Sequence, residues 1–443
     1  MPMLRTPIRV RWWIFLYTFL FALLTYVQHN SLSIAAERIM PELHLSQMQV
    51  GWLMETFTVV YMVLQLPGGV LGERIGARAA YVAVGVVAFI ATITTPLAPL
   101  LLSGTALFVA LVLAQALMGA AHAPVFPVGA GVYEAWFPVS RWSFVNGLAA
   151  SGMNLGTALT APLIVALTAA FGWQGALLWI ALPTALLTAT WAWYSRDTPR
   201  EHSKVTPAEL AELGELAREP KAPLTATRLI KVLADREVLL LTASYTCMCY
   251  AFYLLTTWSF LYLVQERHLS ALEGGGLAML PPIGAAVGAW LGGGLADWFA
   301  ARFGVRWGYR IVPLVTLPLA GALLLVATGT GSVYVAVGAL TLAFAGIESN
   351  EGPYWAAMMS VARADTMAAC GVLNTGGNLG GVINIPIIAW LSGHGHWHGA
   401  FATGTAFAVV AAALWLLIDA DRQLETGNAS QLIGTRRDIL AID

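Results

Sequence analysis

Gly68-Gly69-Val70-Leu71-Gly72-Glu73 recurs 224 residues later as Gly292-Gly293-Gly294-Leu295-Ala296-Asp297. A second pattern keeps the same offset, because Asn154-Leu155-Gly156 recurs as Asn378-Leu379-Gly380. Two patterns in one register indicate that the chain contains two copies of one module. In an apolar chain, paired halves of this kind are typical of secondary transporters that hold a gated site between the halves.

Hydrophobic residues make up 58% of the 443 residues and charged residues only 11%, and the mean hydropathy is +0.71. A soluble core cannot hide this much apolar surface, and many apolar runs approach the roughly 20 residues that span hydrocarbon. The sequence predicts an all-α membrane protein with twelve transmembrane helices in two pseudo-symmetric six-helix bundles. The predicted spans are 12–35, 48–71, 79–97, 103–136, 143–170, 174–194, 238–264, 273–299, 311–328, 331–361, 367–392 and 398–419.

The positive charges set the predicted orientation. With a cytoplasmic N-terminus, all of the 23 Lys and Arg residues except Arg38 and Arg267 lie inside. This bias predicts a multi-pass protein of the inner membrane with both termini in the cytoplasm. The predicted domains are an N-terminal bundle 1–194, a cytoplasmic linker 195–236, a C-terminal bundle 237–420 and a cytoplasmic tail 421–443.

The linker is the one long polar segment between the halves. Thr206-Pro207-Ala208-Glu209 is a capping box with proline at the first helical position, so it predicts a short helix. The linker is either a latch that steers two moving halves or a plain solvated connection, which its charges of alternating sign favour.

Gly69-Val70-Leu71-Gly72-Glu73-Arg74-Ile75-Gly76-Ala77-Arg78 follows span 2. Glycines allow helix ends to approach closely, and charges at the rim can pair in one conformation and separate in another. This run resembles the signature loop of the major facilitator superfamily, which implies that superfamily's fold and transport activity. The predicted gating residues are Gly69, Glu73, Arg74, Gly76, Arg78 and Asp297.

Further runs resemble the anion:cation symporter family, and they include Asn30-Ser31-Leu32-Ser33, Ala123-Pro124-Val125-Phe126-Pro127, Trp136-Phe137-Pro138 and Glu351-Gly352-Pro353-Tyr354-Trp355. That resemblance implies uptake of small organic anions such as sugar acids, dicarboxylates or aromatic acids together with protons. The chain departs from the family where an Asp-Arg pair in span 1 is replaced by Gln28-His29, and where Glu before Ala-Pro in span 4 is replaced by His122.

These departures leave no Lys or Arg inside any predicted span, so His29 and His122 are the titratable cations at membrane depth. A histidine in a cavity can bind a proton, attract a carboxylate while charged and release both on the other side. We therefore predict that both histidines bind substrate and couple protons. The alternative is that each is a neutral hydrogen-bonding residue of helix packing.

Acidic residues at membrane depth are the other candidates for proton coupling. Glu55 lies in span 2, and Glu348 and Glu351 lie in span 10, all away from the predicted membrane surfaces. A buried carboxyl group without a basic partner is a candidate proton carrier. The alternative is a structural hydrogen bond to a neighbouring helix.

Neutral polar and aromatic residues complete the predicted substrate site. Asn154 and Asn378 occupy equivalent repeat positions, and amides can hold hydroxyls or carboxylates without a buried charge. The alternative role for both is interhelical packing beside small residues. The predicted substrate-binding residues are His29, Asn30, Tyr61, Gln115, His122, Asn154, Trp355, Asn374 and Asn378.

No phosphate loop, nucleophile elbow or zinc helix occurs in the sequence, so we predict neither an enzyme nor a cofactor. His394-Gly395-His396-Trp397-His398 is interpreted as a loop rather than a metal site. The leading hypothesis is proton-coupled symport of a small organic anion by alternating access, in a monomer that binds no nucleic acid. The alternatives are a cation or metal-ion carrier, efflux of a neutral amphiphile, or a sensor that moves no cargo.

Overall fold

The computed structural model describes residues 9–213, 224–269, 276–277 and 279–424, and none of these residues lies in a strand. By length and composition, eight helical stretches are apolar enough to cross a membrane, or nine if the bent pair Gln47–Val63 and Gln65–Ile75 is one span. Two of those stretches, Val139–Tyr194 and Val333–Gly393, are 56 and 61 residues long. Because about 20 residues cross the hydrocarbon once, each of these two holds two crossings.

With Leu280–Phe303 included, the described part of the chain forms the twelve predicted spans, and the predicted fold class is confirmed. Spans 1 to 6 are Val10–Glu42, Gln47–Val63 with Gln65–Ile75, Ala77–Leu97, Gly104–His122 with Val125–Trp136, and the two parts of Trp142–Tyr194. Spans 7 to 12 are Arg236–Gln265, Leu280–Phe303, Val305–Gly329, Val333–Glu348 with Glu351–Ala362, Thr366–Gly393 and Trp397–Trp415.

Several spans are interrupted, and the interruptions have local causes. Gly172 has φ 71° and ψ 170°, a conformation suited to glycine, and it separates span 5 from span 6. Span 2 bends by 51° next to Leu64. Spans 4 and 10 break in their middle, before Val125 and before Glu351.

The two bundles meet through repeat-related contacts. Span 5 packs against span 8, and span 2 packs against span 11. Gly147 lies against the backbone of Ala289, and Gly371 lies against the backbone of Gln65. Gln65 and Ala289 are related by the same 224-residue offset as Gly147 and Gly371. The contact between Gly147 and Ala289 therefore corresponds to the contact between Gly371 and Gln65.

The linker carries two short helices. Pro207–Leu213 begins after Thr206, whose Oγ1 accepts a hydrogen bond from the Glu209 backbone N–H at 3.2 Å. Ala226–Ala234 is capped by Thr225 in the same way. Linker residues 214–223 and tail residues 425–443 lie outside the described residues. We call the end of the bundles that carries these helices the linker side and the opposite end the far side.

Each linker helix contacts a different bundle. The Arg11 guanidinium at the start of span 1 is buried and binds Glu209 Oε1 at 3.1 Å. Arg228 of the second helix binds the buried Asp365 carboxylate, between spans 10 and 11, at 2.8 Å. The linker is therefore docked on both bundles, rather than fully solvated.

Candidate functional site

The carboxylates of two predicted gating residues cap helices of the opposite bundle on the linker side. The Glu73 carboxylate accepts a hydrogen bond from the backbone N–H of Met367, at the start of span 11, at 2.7 Å. Asp297 accepts hydrogen bonds from the backbone N–H groups of Ser143 and Phe144, at the start of span 5, at 3.2 and 2.8 Å. A carboxylate at a helix N-terminus satisfies free N–H groups and complements the helix dipole.

The glycines of the motif make this close approach geometrically feasible. A Cβ at Gly69 would collide with the carbonyl group of Met367, and a Cβ at Gly293 would collide with the carbonyl oxygen of Ser143. The two glycines are repeat-related, and so are their neighbours. The same close contact between the bundles is therefore made twice on the linker side.

The other motif residues act within the first bundle or lie at its surface. Gly76 has φ 85° at the turn between spans 2 and 3. The Arg78 backbone N–H donates to Asp197 at 2.8 Å, and its guanidinium donates to the carbonyl oxygen of Ala192. Arg74 is exposed. Arg78 thus ties span 3 to the end of span 6.

A cavity of about 470 Å³, open solvent included, lies between the bundles. Spans 1, 2, 4 and 5 line one wall, and spans 7, 10 and 11 line the other. The lining residues are Tyr26, Tyr61, Phe126, Ala150, Met153, Tyr245, Cys249, Phe252, Tyr253, Glu351, Trp355, Asn374, Gly377 and Asn378. Four of the predicted substrate residues are among them, namely Tyr61, Trp355, Asn374 and Asn378.

Glu351 is the carboxyl group on the cavity wall. Its Oε1 accepts a hydrogen bond from the Tyr245 hydroxyl at 3.0 Å, and its Oε2 accepts one from the Trp355 indole N–H at 2.8 Å. Both donors line the same cavity. The carboxyl group is therefore fixed in position by neutral donors.

Glu348 joins the two bundles through a hydrogen bond. The Asn154 side-chain amide of span 5 donates to Glu348 Oε2 of span 10 at 2.6 Å. Glu348 is fully buried, and its Oε1 has no hydrogen-bond partner among the described residues. This group lies at the interface that must change if the bundles move against each other.

The two amides of span 11 contact different partners. The Asn374 side chain donates to Gln65 Oε1 of span 2 at 2.9 Å, which is a second polar contact between the bundles. Asn378 Oδ1 accepts a hydrogen bond from the Tyr253 hydroxyl at 3.0 Å. Asn378 and its repeat partner Asn154 therefore have different roles.

Neither of the two predicted histidines is among the residues that line the cavity. The His122 ring is buried with Nε2 at 3.2 Å from Gln28 Oε1. Gln28 in turn donates to Thr92 and Thr184, so this network lies inside the first bundle. The His29 ring is half-buried against Phe57, with centroids 4.2 Å apart.

The remaining predicted residues also lie outside the cavity wall. The Asn30 side chain donates to the carbonyl oxygen of Tyr26 in its own helix at 2.9 Å. Gln115 is buried within span 4, and Glu55 is exposed on span 2. In the part of the chain that the structure describes, no group of three or more His, Cys, Asp and Glu side chains is arranged to hold a metal ion.

Sequence reasoning missed part of the aromatic wall. Phe126, Met153 and Phe252 line the cavity but belong to no predicted site. Phe126 follows the break in span 4 at Ala123 and Pro124. The Ala-Pro pair at the break is the sequence signal that could have identified it.

A family model described as Major Facilitator Superfamily matches residues 14–383. A probable sulfoacetate transporter, SauU of Cupriavidus necator, is 28% identical over 375 residues, 83% of this chain and 84% of that protein. A probable galactarate/D-glucarate transporter, GudP of Bacillus subtilis, is 27% identical over 421 residues, 92% of each chain. The hexuronate transporter of the same species is 28% identical over 413 residues, 90% of this chain and 92% of that protein.

Solved structures share the fold. The transporter FucP, crystallised in the outward conformation, superposes with a TM-score of 0.71 at 15% identity, covering 93% of this chain and 100% of that chain. The proton:xylose symporter XylE, bound to 6-bromo-6-deoxy-D-glucose, gives a TM-score of 0.69 at 13% identity, covering 94% of this chain and 98% of that chain.

Proposed function

Because this chain belongs to the Major Facilitator Superfamily and is a multi-pass membrane transporter rather than an enzyme, we propose that it carries a small organic anion together with protons by alternating access. Relatives named for sulfoacetate, galactarate/D-glucarate and hexuronate transport support an organic anion as cargo. The observation that carries the coupling is a cavity between the bundles that has a carboxyl group on its wall and, among the described residues that line it, no Lys or Arg.

The moving parts in this proposal are the bundles 1–194 and 237–420. The caps made by Glu73 and Asp297 hold the linker side closed in the state described. Opening this side requires both caps to break. The likeness to FucP in its outward conformation supports a state that is accessible from the far side.

Charge repulsion supports proton coupling. An anionic cargo next to an ionised Glu351 would be repelled in a medium of low dielectric constant. The lining residues that the structure describes include no Lys or Arg to offset this repulsion. The cargo therefore binds when the carboxyl groups carry protons. In this mechanism protons and anion enter together and leave together.

Glu348 is the proposed link between the proton and the movement of the bundles. Its Oε2 accepts the Asn154 hydrogen bond across the interface, and its Oε1 is unpartnered. Binding or loss of a proton changes the charge at this contact, and so changes the strength of the bond between the bundles. His29 lies beside Tyr26 and Tyr61 of the wall, and it is our candidate for passing protons to the cavity.

The orientation is part of the proposal. We place the protein in the inner membrane as a monomer, with the linker side in the cytoplasm. The orientation is supported by the positive charges, because all the Lys and Arg residues that the structure describes, except Arg38 and Arg267, lie on the linker side.

The proposal is tested by uptake into proteoliposomes. Galactarate, sulfoacetate and 4-hydroxybenzoate are each supplied with and without an inward proton gradient, and protein-free liposomes measure passive entry. We expect gradient-driven accumulation of at least one acid, and we expect Glu348→Gln to abolish the dependence on the gradient because the amide keeps the Asn154 contact but binds no proton. Glu37→Gln, at an exposed position of span 1, is the matched control. Gradient-driven uptake that persists unchanged in Glu348→Gln would contradict the role of this residue.

A second candidate function is transport of an organic cation. Glu348 and Glu351 are buried carboxyl groups, and the described residues that line the cavity include no Lys or Arg, so the site also suits a positively charged amine. In that case Glu348→Gln abolishes uptake of benzylamine, and the organic acids are not accumulated at all.

A further inference from the structure

A continuous row of aromatic rings crosses the interface between the bundles at the cavity. The ring of Tyr26 lies 6.2 Å from that of Phe126, measured between centroids. Phe126 of the first bundle lies 6.2 Å from Trp355 of the second, and Trp355 lies 6.4 Å from Tyr245. Rings at such separations provide faces and edges for a further aromatic ring.

Eight of the fourteen lining residues carry a nitrogen or oxygen in the side chain, and most of these groups are engaged with one another. Seven of the fourteen lining residues are aromatic. Glu351 already accepts hydrogen bonds from Tyr245 and Trp355, and Asn378 already accepts one from Tyr253. A polyhydroxylated sugar acid would bury several hydroxyl groups here without partners, and each unpaired group costs about 1–3 kcal/mol. The wall therefore disfavours a sugar acid.

The remaining donors suit one carboxylate. Asn374 and Asn378 lie one helical turn apart on span 11, and each side-chain amide has two N–H groups. One N–H of Asn374 binds Gln65, and one N–H of Asn378 binds the carbonyl oxygen of Asn374. The Tyr61 hydroxyl already interacts with the side chains of Gln65, Asn374 and Tyr26. A single carboxylate that replaces these contacts can share the second N–H of each amide and the two tyrosine hydroxyl groups without a cation.

We propose that the cargo is a compact aromatic monocarboxylate whose ring packs against Phe126 and Trp355 and whose carboxylate binds the amides of Asn374 and Asn378. This inference rests on the proposed function, because it narrows the organic anion to one chemical class. It differs from the names of the relatives, which include the dicarboxylates galactarate and D-glucarate.

Binding to the purified full-length protein, measured by isothermal titration calorimetry, tests the class of cargo. Binding is preferred to uptake because protonated benzoic acid crosses bilayers unaided. The probes are benzoate, cyclohexanecarboxylate, galactarate and benzylamine. Benzoate and cyclohexanecarboxylate have the same charge and nearly the same size, so they differ mainly in the π system. We expect benzoate to bind roughly ten-fold more tightly than cyclohexanecarboxylate.

Two variants locate the ring. Phe126→Leu keeps an apolar side chain at a half-buried position, and we expect it to weaken benzoate binding roughly ten-fold while changing cyclohexanecarboxylate binding by less than about two-fold. Trp290→Leu is the control, since Trp290 is 46% exposed on span 8 and lies outside the cavity wall. We expect this control to bind benzoate as the unmodified protein does.

The possible outcomes separate this inference from the proposed function. Tighter binding of galactarate than of benzoate overturns the aromatic class and leaves organic-anion transport standing. Equal binding of benzoate and cyclohexanecarboxylate overturns the aromatic class as well. Binding of benzylamine alone overturns both proposals.

Discussion

Single residues carry the difference between the two halves. Under the 224-residue offset, Glu348 corresponds to Pro124 and Glu351 corresponds to Pro127. The second bundle therefore supplies both carboxyl groups near the cavity, and the first bundle supplies the Asn154 amide that meets one of them. Repeat-related positions carry similar residues at the caps that join the bundles and different residues at the cavity.

We expect His202, in the linker, to make the stability of the protein depend on pH. Its ring packs on Trp136 and Tyr194, with centroids 6.0 and 4.9 Å away. Burial, followed by the charge of Arg196, lowers the pKa of His202 below the ordinary value of 6.5. The unfolded protein therefore binds this proton more readily, so the contribution to stability is full above pH 6.5 and decreases as the pH falls toward the lowered pKa.

We expect His202→Gln to reduce the loss of Tm between about pH 7.5 and 5.5, because the residue that gains a proton on unfolding is gone. Thermal unfolding at the two pH values measures this. His396→Gln, at an exposed position on the far side, should leave the loss of Tm as it is in the unmodified protein. An unchanged loss in His202→Gln would contradict the prediction.

Helical periodicity predicts which face of a span carries a polar residue, but it does not predict which neighbour covers that face. Tyr61, Trp355, Asn374 and Asn378 were predicted as substrate residues, and they line the cavity. His122 was predicted on the same grounds, yet Gln28 of span 1 covers it. Whether a polar side chain faces the cavity or is covered by another helix depends on how spans that are distant in sequence pack together.

Among elements, span 2 is the part whose packing sets the closed state of the linker side. Gly69 has no room for a methyl group, because the backbone of Met367 occupies that space. We expect Gly69→Ala to destabilise the closed linker side by at least about 1–3 kcal/mol, the usual cost of overpacking. The protein then spends more time open on the linker side, which is measured as faster labelling of a cysteine introduced at Ser143.

Gly51→Ala is the matched control in the same span, because a Cβ at Gly51 meets no atom within 4 Å. It should label at the rate of the protein that carries the cysteine alone. Equal labelling rates for the two alanine variants would show that Gly69 does not set the closed state.

Most of the arrangement of elements could be predicted from the sequence. Hydropathy predicts the spans, and the 224-residue offset shows which span of the first half corresponds to which span of the second. The linker was the exception, since its alternating charges favoured a solvated segment. Arg11 and Glu209 are 198 residues apart, and their pairing depends on the tertiary position of both helices. Local charge pattern contains no information about such a partner.

At the scale of the whole molecule, the linker ties the bundles through buried ion pairs. The side chains of Arg11 and Glu209 are each only 5% exposed. Removing Glu209 leaves the buried Arg11 guanidinium paired only with the Glu212 carboxylate, 3.0 Å away on a side chain that is 42% exposed. We therefore expect Glu209→Ala to destabilise the protein by up to about 3–5 kcal/mol. The loss is measured as a lower Tm.

Two comparisons test this explanation. Glu201→Ala removes an exposed carboxylate of the same linker and should change stability by less than about 0.5 kcal/mol. The double variant Arg11→Met with Glu209→Leu removes both charges, and it should recover most of the lost Tm. A double variant as unstable as Glu209→Ala would show that the cost does not come from an unpaired charge.

The paired caps on the linker side imply that the closing surface is self-complementary. Each half presents a carboxylate, Glu73 or Asp297, and also the helix start that receives the other half's carboxylate. A free six-helix half could therefore bind an identical copy across a two-fold axis, because each member would supply what its mate lacks. Duplication and fusion of such a half would preserve the paired caps, and the cavity walls of the two halves could then diverge in sequence.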